Sequence, residues 1–192
     1  MSTDDSRANA AAGARREASA PEEAWDLLER AARVQLSRLA PEGDLTVTTA
    51  MLDLFRVSNR LLQDLEFNVH REFDLTWAGF RVMFCVQAEP GLLAGELARL
   101  AGVSKATVSS VLRTLEGKGF VERVRSSEDA RRVQVFLTPE GARIVDQAYL
   151  AQHLREQAWL DEIDPPALQG FIEVLRHLLT RDRPSPSVDE GC

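Results

Sequence analysis

Leu92 to Thr138 constrains the fold more than any other stretch of this chain, because two patterns stand side by side and a single order of elements satisfies both. The first is a pair of helices around a tight turn. A short helix is expected from Gly95 to Ala101, with Ala98 small enough to sit where two helices cross. Gly102, four residues on, supplies the φ > 0 position that the turn needs. Ser104 is a natural N-cap for a helix running to Glu116, and Gly117 and Gly119 stop it. Val108, Val111, Leu112 and Leu115 fall at i, i+3, i+4 and i+7, which makes one apolar face. The second pattern is a hairpin. Val121 to Arg125 and Arg132 to Thr138 read as strands joined by residues 126–131, and the second strand alternates Val133, Val135 and Leu137 with Arg132, Gln134 and Phe136. The expected fold class is mainly α with a small β-wing, a winged helix-turn-helix.

The charge pattern supports that reading. The chain carries −7 overall, yet Gly91 to Leu137 holds eight basic and five acidic side chains. A basic segment inside an acidic body focuses the field on one face, whereas net charge governs mainly solubility and non-specific binding. On the second helix Lys105, Thr107, Ser109, Ser110 and Arg113 are left to face outward. Their hydroxyls suit phosphates or base edges, and the two cations suit phosphate or guanine. The helix start at Ser104 offers free backbone N–H groups to a phosphate. Arg123, Arg125, Arg131 and Arg132 lie on or beside the hairpin, with Asp129 at its tip. A narrow minor groove attracts an arginine such as Arg131, and Asp129 is placed to hold that guanidinium as a bidentate pair. The partner expected is double-stranded DNA.

Around this lobe the sequence places tails and helices. Residues 1–20 lack hydrophobic periodicity and are expected to be disordered, as is the polar tail 184–192. Residues 21–75 are expected to hold dimerisation helices: one from Glu22 to Leu39 after Pro21, and one from Thr48 to Phe73 whose apolar residues spread too widely for one narrow stripe, as at a subunit interface. Residues 76–138 form the expected DNA-binding lobe, with Thr76 capping a helix to Ala88 that Glu89-Pro90-Gly91 stops. Residues 139–183 hold two further dimerisation helices, opened by Thr138-Pro139 and Asp164-Pro165 and meeting near Ile163.

Some classes are disfavoured. No apolar run reaches the roughly 20 residues of a membrane span, and the N-terminus lacks the apolar core of a secretory signal, so a cytoplasmic location is expected. Cys85 and Cys192 do not make a disulfide framework, and His70, His153 and His177 are scattered, so no metal and no cofactor is expected. No catalytic constellation stands out, and an enzyme is not expected.

Asp129-Ala130-Arg131-Arg132-Val133-Gln134-Val135-Phe136-Leu137-Thr138-Pro139-Glu140-Gly141 resembles the wing signature of the MarR family, and Leu115-Glu116-Gly117-Lys118-Gly119-Phe120-Val121-Glu122-Arg123 resembles the segment before it. The resemblance extends from about Leu52 to Leu179. It implies a homodimeric transcription regulator, usually a repressor, often released by a small phenolic or other lipophilic ligand. It implies further that Ser104 to Arg113 is the recognition helix and that Asp129 and Arg131 are wing-tip residues. In the same picture Trp77, Phe80, Arg81, Phe84 and Cys85 border the ligand cleft, with Arg56 and Asn59 facing it, a pocket suited to an aromatic or anionic effector. The helix holding Trp25 stands ahead of the usual first helix and is similar to the extra N-terminal helix of the urate-responsive subgroup. Where that subgroup has an acid after the aromatic, this chain has Arg81 after Phe80.

The reading is therefore a homodimeric DNA-binding regulator, released from a palindromic operator by a small molecule. Two others stand beside it: a winged-helix protein-interaction adaptor without DNA binding, and a redox sensor acting through Cys85, whose thiolate Arg81 would favour.

Overall fold

The computed structural model describes residues 25–125 and 132–181. The expected tails, the start of the first helix, and the wing-tip residues Asp129 and Arg131 lie outside the described residues. The chain divides into two units between Phe67 and Asn68.

The first unit holds α1 (25–39) and nearly all of α2 (Leu45–Asn68). The Asp44 carboxylate accepts the Thr46 N–H at 2.8 Å, so α2 starts three residues before the expected Thr48. Many apolar side chains on these helices stay exposed, among them Leu28, Val34, Met51, Phe55 and Leu62.

The single long helix expected to reach Phe73 is broken. α2 ends at Asn68, Val69 adopts a non-helical backbone (φ −125°, ψ −67°), and a 3-10 helix follows at His70–Phe73. Asp74 closes it in the left-handed region (φ 55°), which Asp tolerates better than most residues. Two features favour the break. Val69 is β-branched and a weak helix former, and the turn buries His70 completely, with its Nε2 3.0 Å from Gln152 Oε1.

The second unit continues with α3 (Trp77–Ala88), β1 (Leu92–Leu93), α4 (Ala94–Leu100), α5 (Lys105–Gly117), β2 (Val121–Arg125), β3 (Val133–Leu137), α6 (Pro139–Leu160) and α7 (Pro165–Thr180). The expected caps are formed. Thr76, Ser104, Thr138 and Asp164 accept the N–H groups of Gly79, Thr107, Gly141 and Ala167. The sheet has three antiparallel strands in the order β1-β3-β2, where two were expected. β1 pairs Leu92 with Val135 and Leu93 with Gln134. Its two residues are too few to show periodicity.

The core lies beneath the helix-turn-helix. Val82 and Met83 of α3, Leu97 and Ala98 of α4, Val108, Leu112 and Leu115 of α5, and Val135 of β3 are buried together with Val145 and Ala148 of α6. Ala98 of α4 is buried, and Gly102 adopts φ +62° at the turn between α4 and α5. Thr138 stitches the lobe to α6: its N–H donates to the Phe120 carbonyl at 3.1 Å and its hydroxyl to Gly119 O at 2.7 Å. Gly141 lies so close to the Phe120 carbonyl that a β-carbon there would collide with it. α7, by contrast, carries no buried residue.

Candidate nucleic-acid interface

α5 is built with two faces. Val108, Leu112 and Leu115 are buried and Val111 half-buried, as the spacing requires, while Lys105, Ser109, Ser110 and Arg113 are exposed. Ser104 is exposed at the helix start, its Oγ accepting the Thr107 N–H at 3.0 Å. Thr107 is half-buried and its hydroxyl lies 2.7 Å from Ser104 Oγ, so much of its hydrogen-bonding capacity serves the cap. A surface with two cations, two free hydroxyls and a helix N-terminus is able to neutralise phosphates and meet base edges.

The wing stands beside this face. Arg125 ends β2 opposite Val133 of β3, and Arg125 and Arg132 are both exposed. Arg123 is engaged differently. Its Nε lies 3.3 Å from Glu116 at the end of α5, an ion pair that ties the wing base to α5. Lys118 is likewise held, 2.8 Å from the Asp74 carboxylate. Neither pairing joins near neighbours on one helix face, and neither was legible in the sequence.

The lobe also carries an open cleft of about 530 Å³. Trp77, Phe80, Arg81, Phe84 and Cys85 of α3 line it. Tyr149 and Gln152 of α6 complete the wall. These two were missed, although Gln152 continues the buried i, i+3, i+7 series of Val145 and Ala148. An aromatic stack runs through it: His70 on Phe80 with centroids 4.6 Å apart, Phe80 on Phe84 at 5.8 Å, and Phe84 on Tyr149 at 5.1 Å. The Arg81 guanidinium sits over the Trp77 ring, 5.7 Å from its centroid. Arg56 and Asn59 belong to α2 in the first unit, where Arg56 lies 3.9 Å from Asp26 and Asn59 is exposed.

Cys85 is half-buried, and burial pushes its thiol above the ordinary range while Arg81 pulls it down by less. The activation expected from Arg81 is thus outweighed by desolvation. Among the described residues no cluster of His, Cys, Asp and Glu is arranged to hold a metal, and no helix is long and apolar enough to cross a membrane.

The MarR family model matches residues 75–133, the span from the last residue before the Thr76 cap to the start of β3. The HTH-type transcriptional regulator SarZ of Staphylococcus saprophyticus is 32% identical over 103 residues, covering 54% of this chain and 70% of that protein. The chain belongs to the MarR family. Another similar protein is the HTH-type transcriptional regulator YwaE of Bacillus subtilis, 31% identical over 104 residues, though that match spans only 61% of YwaE. Among solved structures, a MarR family regulator from Silicibacter pomeroyi superposes with a TM-score of 0.59 at 26% identity, covering 71% of this chain and 92% of that one. The repressor CouR, solved on a 23-mer DNA duplex, superposes at 0.60 with 25% identity over 68% of this chain and 91% of its own. In MarR family terms, α4 and α5 are the helix-turn-helix and β2–β3 the wing.

Proposed function

We propose that this protein is a DNA-binding transcriptional regulator that grips a near-palindromic operator as a homodimer, represses from it, and leaves it when a small aromatic or anionic effector occupies the α3–α6 cleft. The observation that carries the reading is the division of α5 into a buried apolar face and an exposed face of Lys105, Ser109, Ser110 and Arg113, set beside the exposed wing arginines Arg125 and Arg132. Ser104 and Thr107 serve at the helix start, and Asp129 and Arg131 at the wing tip. The likeness to SarZ and to DNA-bound CouR supports it. Dimerisation is supported by apolar surface that has no use in a monomer. α7 has no buried residue, yet it presents Phe171, Val174, Leu178 and Leu179, and α1 and α2 present a comparable set. Two-fold symmetry then sets half-site centres about 10 bp apart. Trp77, Phe80 and Arg81 are the residues of the second unit assigned to the effector, while Arg56 and Asn59, expected beside them from the sequence, belong to the first unit and are not assigned to this cleft.

The test is binding to the DNA upstream of its own gene, measured by anisotropy over a range of salt. Phosphate neutralisation releases counterions, so affinity should fall steeply, and Lys105→Ala and Arg113→Ala should each lower the slope by about 1 if the side chain meets phosphate. A flat salt dependence, or wild-type affinity in both variants, would replace this reading with that of a protein-interaction adaptor.

A further inference from the structure

We propose that Glu116 is a specificity-determining residue: by holding Arg123 in an ion pair at the wing base, it keeps that cation from gripping phosphate on DNA of any sequence. The proposal rests on the regulator reading above and adds how the preference for an operator is protected.

Among the described residues, Lys105, Arg113, Arg125 and Arg132 are exposed and form no ion pair, whereas Arg123 is held by Glu116 at 3.3 Å. The fold does not depend on that pair. Backbone bonds already close the short return from α5 to β2: Lys118 N–H to Thr114 O at 3.1 Å, Gly119 N–H to Glu116 O at 3.0 Å, and Phe120 N–H to Leu115 O at 2.9 Å. Gly119 turns the chain at φ +71°, and Val121 is buried in the core. The pair itself lies at the surface, its side chains 33% (Arg123) and 46% (Glu116) exposed, and such a pair adds little stability. Its position says more. Arg113 precedes Glu116 by three residues on α5, and Arg125 follows Arg123 by two on β2. Each partner thus shares its side of its element with a cation assigned to DNA.

Phosphate is the same in every sequence, so a cation that meets it strengthens binding everywhere, while base edges discriminate. On an operator the base contacts fix the register, and a loose arginine must take what lies within reach. On other DNA nothing fixes the register, and the same arginine settles on a phosphate freely. Releasing Arg123 therefore favours the wrong sequences, and Glu116 is a device against them.

Anisotropy with the full-length protein compares the duplex upstream of its own gene with a shuffled duplex of the same composition. On the shuffled duplex, Glu116→Gln should bind about fivefold more tightly at physiological salt, with a salt slope steeper by about 1, the value of one added phosphate contact. Affinity for the upstream duplex should rise by less, so the ratio between the two falls. Arg123→Gln alone should match wild type on shuffled DNA, because its cation is already engaged. Adding Arg123→Gln to Glu116→Gln should remove the gain, which separates release of Arg123 from mere loss of a negative charge. Melting midpoints should stay within about 2 °C of wild type. No tighter binding of the shuffled duplex by Glu116→Gln, a gain that survives in the double variant, an unchanged ratio, or a Glu116→Gln variant that melts far lower would each overturn the proposal. The comparison on shuffled DNA needs no operator. Wild type that fails to prefer the upstream duplex would therefore count against the regulator reading, while the gain on shuffled DNA still judges the pair.

Discussion

Gly141→Ala should unfold this protein well below the wild-type temperature, although it is the mildest change that a helical glycine can suffer. Gly141 is the third residue of α6, where alanine is ordinarily better than glycine by up to about 1 kcal/mol. Here the added methyl would collide with the Phe120 carbonyl, a backbone atom next to β2 that cannot rotate aside. Overpacking of this kind costs about 1–3 kcal/mol, and more when backbone is the obstacle. Relieving it means lifting α6 from the lobe. That stretches the Thr138 N–H bond to Phe120 O (3.1 Å) and the Thr138 hydroxyl bond to Gly119 O (2.7 Å), each worth about 1 kcal/mol. The net loss is about 3–4 kcal/mol. At roughly 2–4 °C per kcal/mol for a chain of this size, the midpoint should fall by about 10 °C. Differential scanning calorimetry measures it. Gly95→Ala is the control, because a methyl added to that helical glycine would meet nothing within 4 Å and should leave the midpoint level or slightly raised. If Gly141→Ala melts within about 2 °C of wild type, the close approach at Phe120 is not what requires glycine there.

Two further outcomes follow from the core and the cleft. Leu112 is 2% exposed on the buried face of α5, and Leu112→Ala should cost about 2–5 kcal/mol in urea unfolding, where a loss below about 1 kcal/mol would mean that α5 is not seated as described. Because the folded-state thiol of Cys85 titrates above its ordinary range, less of it is thiolate at any given pH. In a Cys192→Ser background, Cys85 should therefore alkylate with iodoacetamide more slowly at pH 8 than N-acetylcysteine, and Arg81→Gln should slow it further by removing the attraction that favours the thiolate. Faster alkylation than the free amino acid would restore the redox reading.

What could be read from the sequence was what is local. Thr76, Ser104, Thr138 and Asp164 announce their helices because a cap bonds an N–H three residues away. Gly102 and the Val108–Leu115 face were legible for the same reason, since their signals lie within two turns of helix. The break at Val69 was hidden, because what favours it is burial of His70 against Gln152, 82 residues on. β1 was hidden too, being a strand only by virtue of β3. Of the candidate interface, the exposed side chains of α5 and the wing could be named, but not that Arg123 is tied to Glu116, or that Thr107 is spent largely on the cap. Arg81 attracted notice as a departure from a pattern. Only the fold shows that it reaches Gly102.

The two-residue strand β1 has a mechanical meaning. It leads into α4 without an intervening residue, and it is hydrogen-bonded to β3, with Gly91 N–H adding a further bond to Val135 O at 2.9 Å. α4 thus has no separate hinge: it grows out of the same sheet that carries the wing. Within one lobe the wing base and α4 must therefore travel together as a single tool head. If the chain grips a two-half-site operator as proposed, its wing and helix have little freedom to adjust their spacing on one half-site, and tolerance for imperfect operators comes from the distance between half-sites instead.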